Sequence, residues 1–373
     1  MPSYKRLVPG DHAPWFRART SSTPDFAFDA VAGRYLVLCF FMTADACGQN
    51  AINVAFAERS FFDDAIASFF GVSIDPADEA NGRAIDRVPG WRFFWDFDGQ
   101  ISKLYGALPG DAEPDKGTVQ LRRMWVVLDP TLRVLRVIPF AVDGSDGQEL
   151  VSYLKCLPPP SRFAGFEIPA PVLVLPNVFE AEFCEKLVDL YETHGSQETG
   201  YMRDVGATTV HQLDPGYKRR RDHIIDDQAV VRQIQARFVR KVVPQLLKAY
   251  QYKATKMERY LVGCYRAEDG GHFVAHRDNT TKATAHRRFA ASVNLNSDFD
   301  GGEICFPEFG SRSFKPPPGG AVVFSCSLLH SVSRVTRNCR YAFLPFLYDD
   351  EAAKIRDANK NFVADAAHNV NDA

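Results

Sequence analysis

Apolar and polar positions fall into two different patterns along the chain. Residues 35–42 (YLVLCFFM) form an unbroken apolar run, as expected of a strand covered on both faces. Residues 51–70 carry apolar positions at helical spacing, interrupted by acids. Short apolar segments at 71–75, 93–97 and 124–128 read as further buried strands, 134–140 as a hairpin partner and 147–156 as a short amphipathic helix. Strands alternating with helices predict an α/β layer in this half. The second half starts with a strand at 171–175 and helices over 181–194 and 228–250, the latter with Val231, Ile234, Phe238, Val242, Leu246 and Leu247 at helical spacing. Between these helices, residues 196–217 read as a loop, long enough to be a lid, a binding loop or disordered. From residue 257 the pattern turns strand-like, at 258–266, 273–277, 289–295, 302–306, 321–325, 331–336 and 340–348, with Gly- and Pro-rich turns between. Many short strands after two helices predict a jelly roll supported by helices. Residues 351–373 are polar and read as a frayed tail.

Composition changes this picture little. A length of 373 residues suggests two domains. The stretch Leu157-Pro158-Pro159-Pro160-Ser161 cannot continue a helix and reads as a stiff connector. The expected organisation is therefore an N-terminal domain over 1–157, a linker at 158–166, a second domain over 167–350 and a tail at 351–373. A net charge of −2 gives no drive towards nucleic acid or membrane, and no apolar run reaches the length of a membrane span. The start of the chain lacks the apolar core of a secretory signal, and the eight cysteines form no CxxC pair, so a reducing cytoplasmic setting is expected. The basic run Lys218-Arg219-Arg220-Arg221 reads as a solvated loop.

The candidate chemistry lies between residues 265 and 348. Among nine histidines, only His276 is followed two positions later by an acid, Asp278. In an extended strand, residues i and i+2 point to one side, so these two side chains can reach one metal. His330 would arrive from another strand, and two imidazoles with one carboxylate suit a ferrous ion with three open positions. Arg340 lies ten residues past His330, where its planar guanidinium can face the same cavity and hold a carboxylate in two places. Arg220, Asp222 and His223 are candidate substrate-binding groups beside this site.

Two family resemblances extend these readings. Residues 166–348 resemble the prolyl 4-hydroxylase-like branch of the Fe(II)/2-oxoglutarate dioxygenases, through YRAEDGGHFVAHRD, DFDGGEICFPEFG, PPPGGAVVFSCSLLHSV and VTRNCRYAFLPFLYD. The resemblance implies His276, Asp278 and His330 as iron ligands, Arg340 on the distal carboxylate of 2-oxoglutarate and Tyr265 as a hydrogen-bonding partner of that co-substrate. One departure is Asn338, which stands where the family has a glycine. Residues 5–155 resemble the peroxiredoxins, a branch of the thioredoxin fold, through GDHAPWF, YLVLCFFMTADAC, GVSIDPADE, DFDGQISKLYGA and MWVVLDP. That resemblance points to Cys47 as the counterpart of the peroxide-reactive cysteine and to Arg123 as its arginine. The match departs in the motif itself, since three residues separate Thr43 from Cys47 and the family's proline is missing.

The resulting expectation is a dioxygenase that uses Fe(II), 2-oxoglutarate and O2, with ascorbate as an optional reductant. It would oxidise, most simply hydroxylate, a C–H bond of a small-molecule or peptidyl substrate, with succinate and CO2 as co-products. The N-terminal domain would serve for docking or for homodimer formation. Two other readings stay open: a bifunctional protein with thiol peroxidase activity at Cys47, and a non-catalytic binding protein.

Overall fold

The computed structural model describes residues 3–112, 121–206 and 208–362. The chain divides into two compact units at Pro169 and Ala170, with the segment Pro307–Ser311 grouped with the first. No helix among the described residues is long and apolar enough to cross a membrane.

The first unit is built on β1 (Tyr35–Met42), α1 (Ala46–Ala57), β2 (Ala67–Ser73), β3 (Trp91–Trp95), β4 (Met124–Leu128), β5 (Val134–Pro139) and α2 (Ser145–Lys155). The sheet order is β3-β2-β1-β4-β5, parallel from β1 to β3 and antiparallel through β4 and β5. Every side chain of β1 is buried, which explains why its sequence is continuously apolar rather than alternating. Gly71 is required where β2 meets β3, because a Cβ there would lie 2.4 Å from the Phe93 ring.

The helix expected over 51–70 is corrected: α1 ends at Ala57, and Ala67–Ser73 is a strand. The acids that interrupt the helical spacing make the turn between them. Asp63 Oδ1 accepts from the amides of Ala65 and Ile66 at 2.8 and 2.6 Å, and Asp64 adopts φ +64°. Aspartate competes with helical hydrogen bonding in just this way.

The second unit contains β6 (Leu173–Leu175), α3 (Ala181–His194), β7 (Tyr201–Val205), β8 (Thr208–Gln212), β9 (Lys218–Arg219), β10 (Arg221–Ile224), α4 (Gln228–Lys241), α5 (Val243–Tyr250), β11 (Lys256–Glu258), β12 (Leu261–Arg266), β13 (His272–His276), β14 (Phe289–Asn294), β15 (Ile304–Cys305), β16 (Ser313–Phe314), β17 (Ala321–Ser325), β18 (His330–Val332), β19 (Arg337–Phe343), β20 (Phe346–Tyr348) and α6 (Asp350–Asn359). A large antiparallel sheet runs β11-β20-β14-β19-β12-β10, with β17 and β6 branching from β14. A smaller sheet runs β9-β13-β18-β15-β16. The sheets face each other through Tyr265 of the large one and Phe273 and Val332 of the small one, which pack together. Helices α3, α4 and α5 supply Phe183, Leu187, Ile234, Phe238 and Leu246 to the main core behind the large sheet.

Several further expectations are corrected here. Residues 196–217 are not a plain loop, since β7 and β8 form an antiparallel hairpin with Val205 opposite Thr208 and Gly206 at φ +60°. Their mostly polar sequences hide the strand pattern. The helix over 228–250 breaks at Val242, with Pro244 in the first turn of α5, where a missing N–H is tolerated. Arg259 at φ +65° splits the strand expected over 258–266. The tail begins with a helix, α6, capped by Asp349, whose side chain accepts from Ala352 N at 2.8 Å, while 363–373 lie outside the described residues.

The basic run is the largest correction. Lys218 and Arg220 are 3% and 7% exposed, so they are interior groups rather than a solvated face. Lys218–Arg219 pairs with β13 in the small sheet, and Arg221–Ile224 pairs with β12 in the large one. The chain therefore crosses between sheets at Arg220, and alternation turns Lys218, Arg220 and Asp222 inwards while Arg219 stays exposed.

Candidate metal centre

Strand pairing assembles the first part of the site. His276 ends β13 and His330 opens β18, and the two are direct partners in the antiparallel register. Each imidazole is oriented by its own backbone: His276 Nδ1 lies 2.8 Å from Val274 O, and His330 Nδ1 lies 3.0 Å from Leu328 O. A carbonyl can only accept, so both rings carry the proton on Nδ1 and present the Nε2 lone pair. Those Nε2 atoms face Asp278, at 3.5 Å from Oδ1 for His276 and 3.4 Å from Oδ2 for His330. The amide of Asp278 is anchored on Cys326 O at 2.9 Å. One ligand atom from each of the three side chains lies within 4.8 Å of the others. The Phe273 ring stacks on His276, with centroids 3.5 Å apart, and closes one side.

The charge states suit a cation. Burial and the neighbouring His276 pull the His330 imidazole down to about 4, so it is neutral at physiological pH. Burial works to raise the Asp278 carboxyl, but His330, His276 and Arg287 outweigh it and hold the group well below the ordinary carboxylate range. Two imidazoles and one carboxylate are a donor set for a first-row divalent metal.

The second part lies on the large sheet. Arg340 of β19 is in register with Tyr265 of β12, and both are 1% exposed. Arg340 donates from Nε to Asn294 Oδ1 at 3.1 Å and from Nη2 to Ser292 Oγ at 2.7 Å. Its Nη1 is buried and has no partner among the described residues. A buried neutral donor left unpaired costs about 1–3 kcal/mol and a charged one more, so this corner is built to receive an anion. Burial lowers Arg340 to about 10, which still leaves it charged at neutral pH. Gly302 lets the chain pass close by, since a Cβ there would meet Arg340 Cδ at 3.0 Å. Asn338 adopts φ +56°, the left-handed conformation that glycine would take.

The other candidate residues separate. Arg220 and Asp222 form a buried ion pair through two contacts of 2.6 Å, and Arg220 Nη1 lies 3.4 Å from Tyr265 Oη. His223 alternates to the opposite face of β10, where Nδ1 lies 2.9 Å from Gly195 O, so it does not share the cavity. Sequence reasoning missed Ser292 and Asn294, although polar residues at period two in FAASVN, a run otherwise fit for the core, are the signal of an inward-facing polar pair. It also missed the burial of Lys218, whose Nζ donates to Thr199 Oγ1 at 3.0 Å and Gly200 O at 2.6 Å.

In the first unit, Cys47 is exposed in the first turn of α1. Burial weakens the charge of Arg123, yet contacts with Asp45 and then Cys47 outweigh it and raise its pKa. The Arg123–Asp45 distance is 2.6 Å. The Thr43 hydroxyl is committed to Asp75 at 2.7 Å, and Ala44 N to Asp78 at 2.9 Å.

Residues 260–348 match the family model of the 2OG-Fe(II) oxygenase superfamily. A PKHD-type hydroxylase of Gluconobacter oxydans is 33% identical over 86 residues, which cover 21% of this chain and 38% of that protein. The chain thus spans well under half the length of this curated relative. Among solved structures, a prolyl hydroxylase from Trichoplax adhaerens, in complex with a hypoxia inducible factor oxygen degradation domain peptide fragment, is similar at 15% identity. It covers 50% of this chain and 86% of its own, with a TM-score of 0.38. A peroxidoxin, BcpB, from Mycobacterium tuberculosis is similar at 21% identity, covering 41% of this chain and 99% of its own, with a TM-score of 0.33.

Proposed function

We propose that the second unit is a Fe(II)- and 2-oxoglutarate-dependent dioxygenase of the hydroxylase type, built on a double-stranded β-helix. The observation that carries this reading is the convergence of two Nε2 lone pairs and one carboxylate within 4.8 Å. His276, Asp278 and His330 would hold the iron, and Arg340 would receive the distal carboxylate of 2-oxoglutarate on its unpartnered Nη1, with Tyr265 assisting. All five residues fall inside the matched region 260–348. With O2, the bound iron and 2-oxoglutarate would supply oxidation of a C–H bond, releasing succinate and CO2.

The chain's own contribution is placement. The carbonyls of Val274 and Leu328 keep both imidazoles in one tautomer, Ser292 and Asn294 fix the Arg340 fork, and Phe273 shields one side of His276 from water. The β7–β8 hairpin stands beside the segment after Asp278, since Lys282 N donates to Asp204 Oδ2 and Ala283 N to Thr209 Oγ1, both at 3.3 Å. We assign this hairpin to the approach of a small-molecule or peptidyl substrate. The first unit, of thioredoxin-like architecture, would serve for docking or dimer formation. The test is succinate formation from 2-oxoglutarate by the full chain with Fe(II), measured over a panel of metabolites and peptides. Turnover stimulated by a panel member and lost in His276→Ala supports the assignment, and a wild-type chain that takes up no iron contradicts it.

A further inference from the structure

Arg220 sits where the chain crosses between the two sheets, and its donors are already assigned. Nε and Nη2 lie 2.6 Å from the two carboxylate oxygens of Asp222. Nη1 points to the Tyr265 hydroxyl at 3.4 Å. Asp222 is itself held by Thr199 Oγ1 at 2.8 Å and Arg259 Nη2 at 3.4 Å. This network is buried, with Arg220 and Asp222 7% and 5% exposed. The Tyr265 ring lies 5.8 Å from the Arg220 guanidinium carbon and 5.4 Å from that of Arg340.

A guanidinium has no acceptor, so Tyr265 Oη must accept from Arg220. Among the described residues, no acceptor is recorded for the phenol's own proton. It is left free to point elsewhere, and Arg340 Nη1, the other unspent donor, belongs to the residue in register with Tyr265. We propose that Arg220 is a positioning residue for the co-substrate. Backed by Asp222, it turns the Tyr265 hydroxyl outwards as a donor, so that Tyr265 and Arg340 grip the distal carboxylate of a 2-oxo dicarboxylate together. Arg220 then contributes to the choice of co-substrate and does not contact the oxidised substrate. This rests on the dioxygenase assignment above.

The test is titration of the Fe(II)-loaded full chain without O2, using 2-oxoglutarate and, in parallel, 2-oxobutyrate, which has the same 2-oxo acid head and lacks the distal carboxylate. Tyr265→Phe keeps the Arg220–Asp222 pair and should weaken 2-oxoglutarate by about tenfold, the scale of one hydrogen bond to a charged group. Arg220→Met should weaken it at least as much, and the double variant no more than Arg220→Met alone, because both act through one hydroxyl. Affinity for 2-oxobutyrate should stay unchanged throughout. Equal losses for both probes would mean a general structural effect and overturn the proposal, as would wild-type affinity for 2-oxoglutarate in Tyr265→Phe. In either case, retained wild-type binding that is lost in Arg340→Met would leave the dioxygenase assignment standing. A wild-type chain that binds neither probe would remove that assignment and this inference with it.

Discussion

The polar clusters of the two units differ in what they leave unspent. Around Cys47 the groups satisfy one another: Arg123 is held by Asp45 at 2.6 Å, Thr43 by Asp75 at 2.7 Å and Ala44 N by Asp78 at 2.9 Å. In the second unit two imidazole Nε2 atoms converge on the Asp278 carboxylate, and Arg340 keeps one buried guanidinium nitrogen unpaired among the described residues. Burying polar groups without partners is costly, so a fold that keeps such a donor buried is arranged for a ligand. The first cluster has the composition of a reactive thiol site, but its arginine is divided between the Asp45 carboxylate and Cys47. That contrast favours chemistry in the second unit over thiol peroxidase activity in the first.

Removing a ligand should sharpen the comparison most. His276→Ala or Asp278→Ala should lower Fe(II) affinity by about 100-fold or more, since changes in outer-shell partners alone cost about 10- to 100-fold, and an equilibrium metal titration measures it. Cys47→Ser should leave that titration unchanged. Arg340→Met should weaken 2-oxoglutarate by roughly 100-fold, reflecting the loss of the charge-assisted hydrogen bond from Nη1 and of the opposing charge, and Arg340→Lys by less.

A smaller effect is expected from pH. His330 titrates near 6.5 when unfolded and near 4 when folded. Between these values the unfolded chain binds the extra proton, so the metal-free fold loses stability as pH falls from about 6.5 to about 4 and has its full share above 6.5. The depressed Asp278 acts in the same direction at lower pH. Thermal melting against pH should show this slope, flattened in His330→Asn; an unchanged slope would contradict the placement of His330. The smallest effect should come from Asp45→Asn. It keeps the helix cap that now accepts from Gly48 N at 2.8 Å, and it leaves Arg123, which already contacts Cys47, without a competing carboxylate. Peroxide-dependent dimedone labelling of Cys47 should rise several-fold above a low wild-type level. Efficient labelling of the wild type would break the contrast.

What was legible in the chain follows the same division. The apolar run at β1 is readable because both faces are covered, and the HxD spacing because a strand alternates. Arg340 is readable as an anchor, but Ser292 and Asn294, which hold it, lie some forty-six residues away in sequence and meet it only through the β14–β19 pairing. The basic run misled for a physical reason. Four consecutive cations read as a solvated face, yet Lys218 and Arg220 turn inwards because the chain changes sheets at Arg220 and the fold supplies their partners, the Thr199 hydroxyl and Gly200 carbonyl for Lys218 and the Asp222 carboxylate for Arg220. Residues 51–70 misled because two acids that look like helix surface are the turn.

The central claim is that one cavity holds Fe(II) and 2-oxoglutarate together. The direct measurement is calorimetric titration of 2-oxoglutarate into the full chain without O2, with and without Fe(II). The account predicts one co-substrate per chain, strong dependence on Fe(II), and loss of binding in both His276→Ala and Arg340→Met. Binding that ignores iron, or that survives both substitutions, would contradict it.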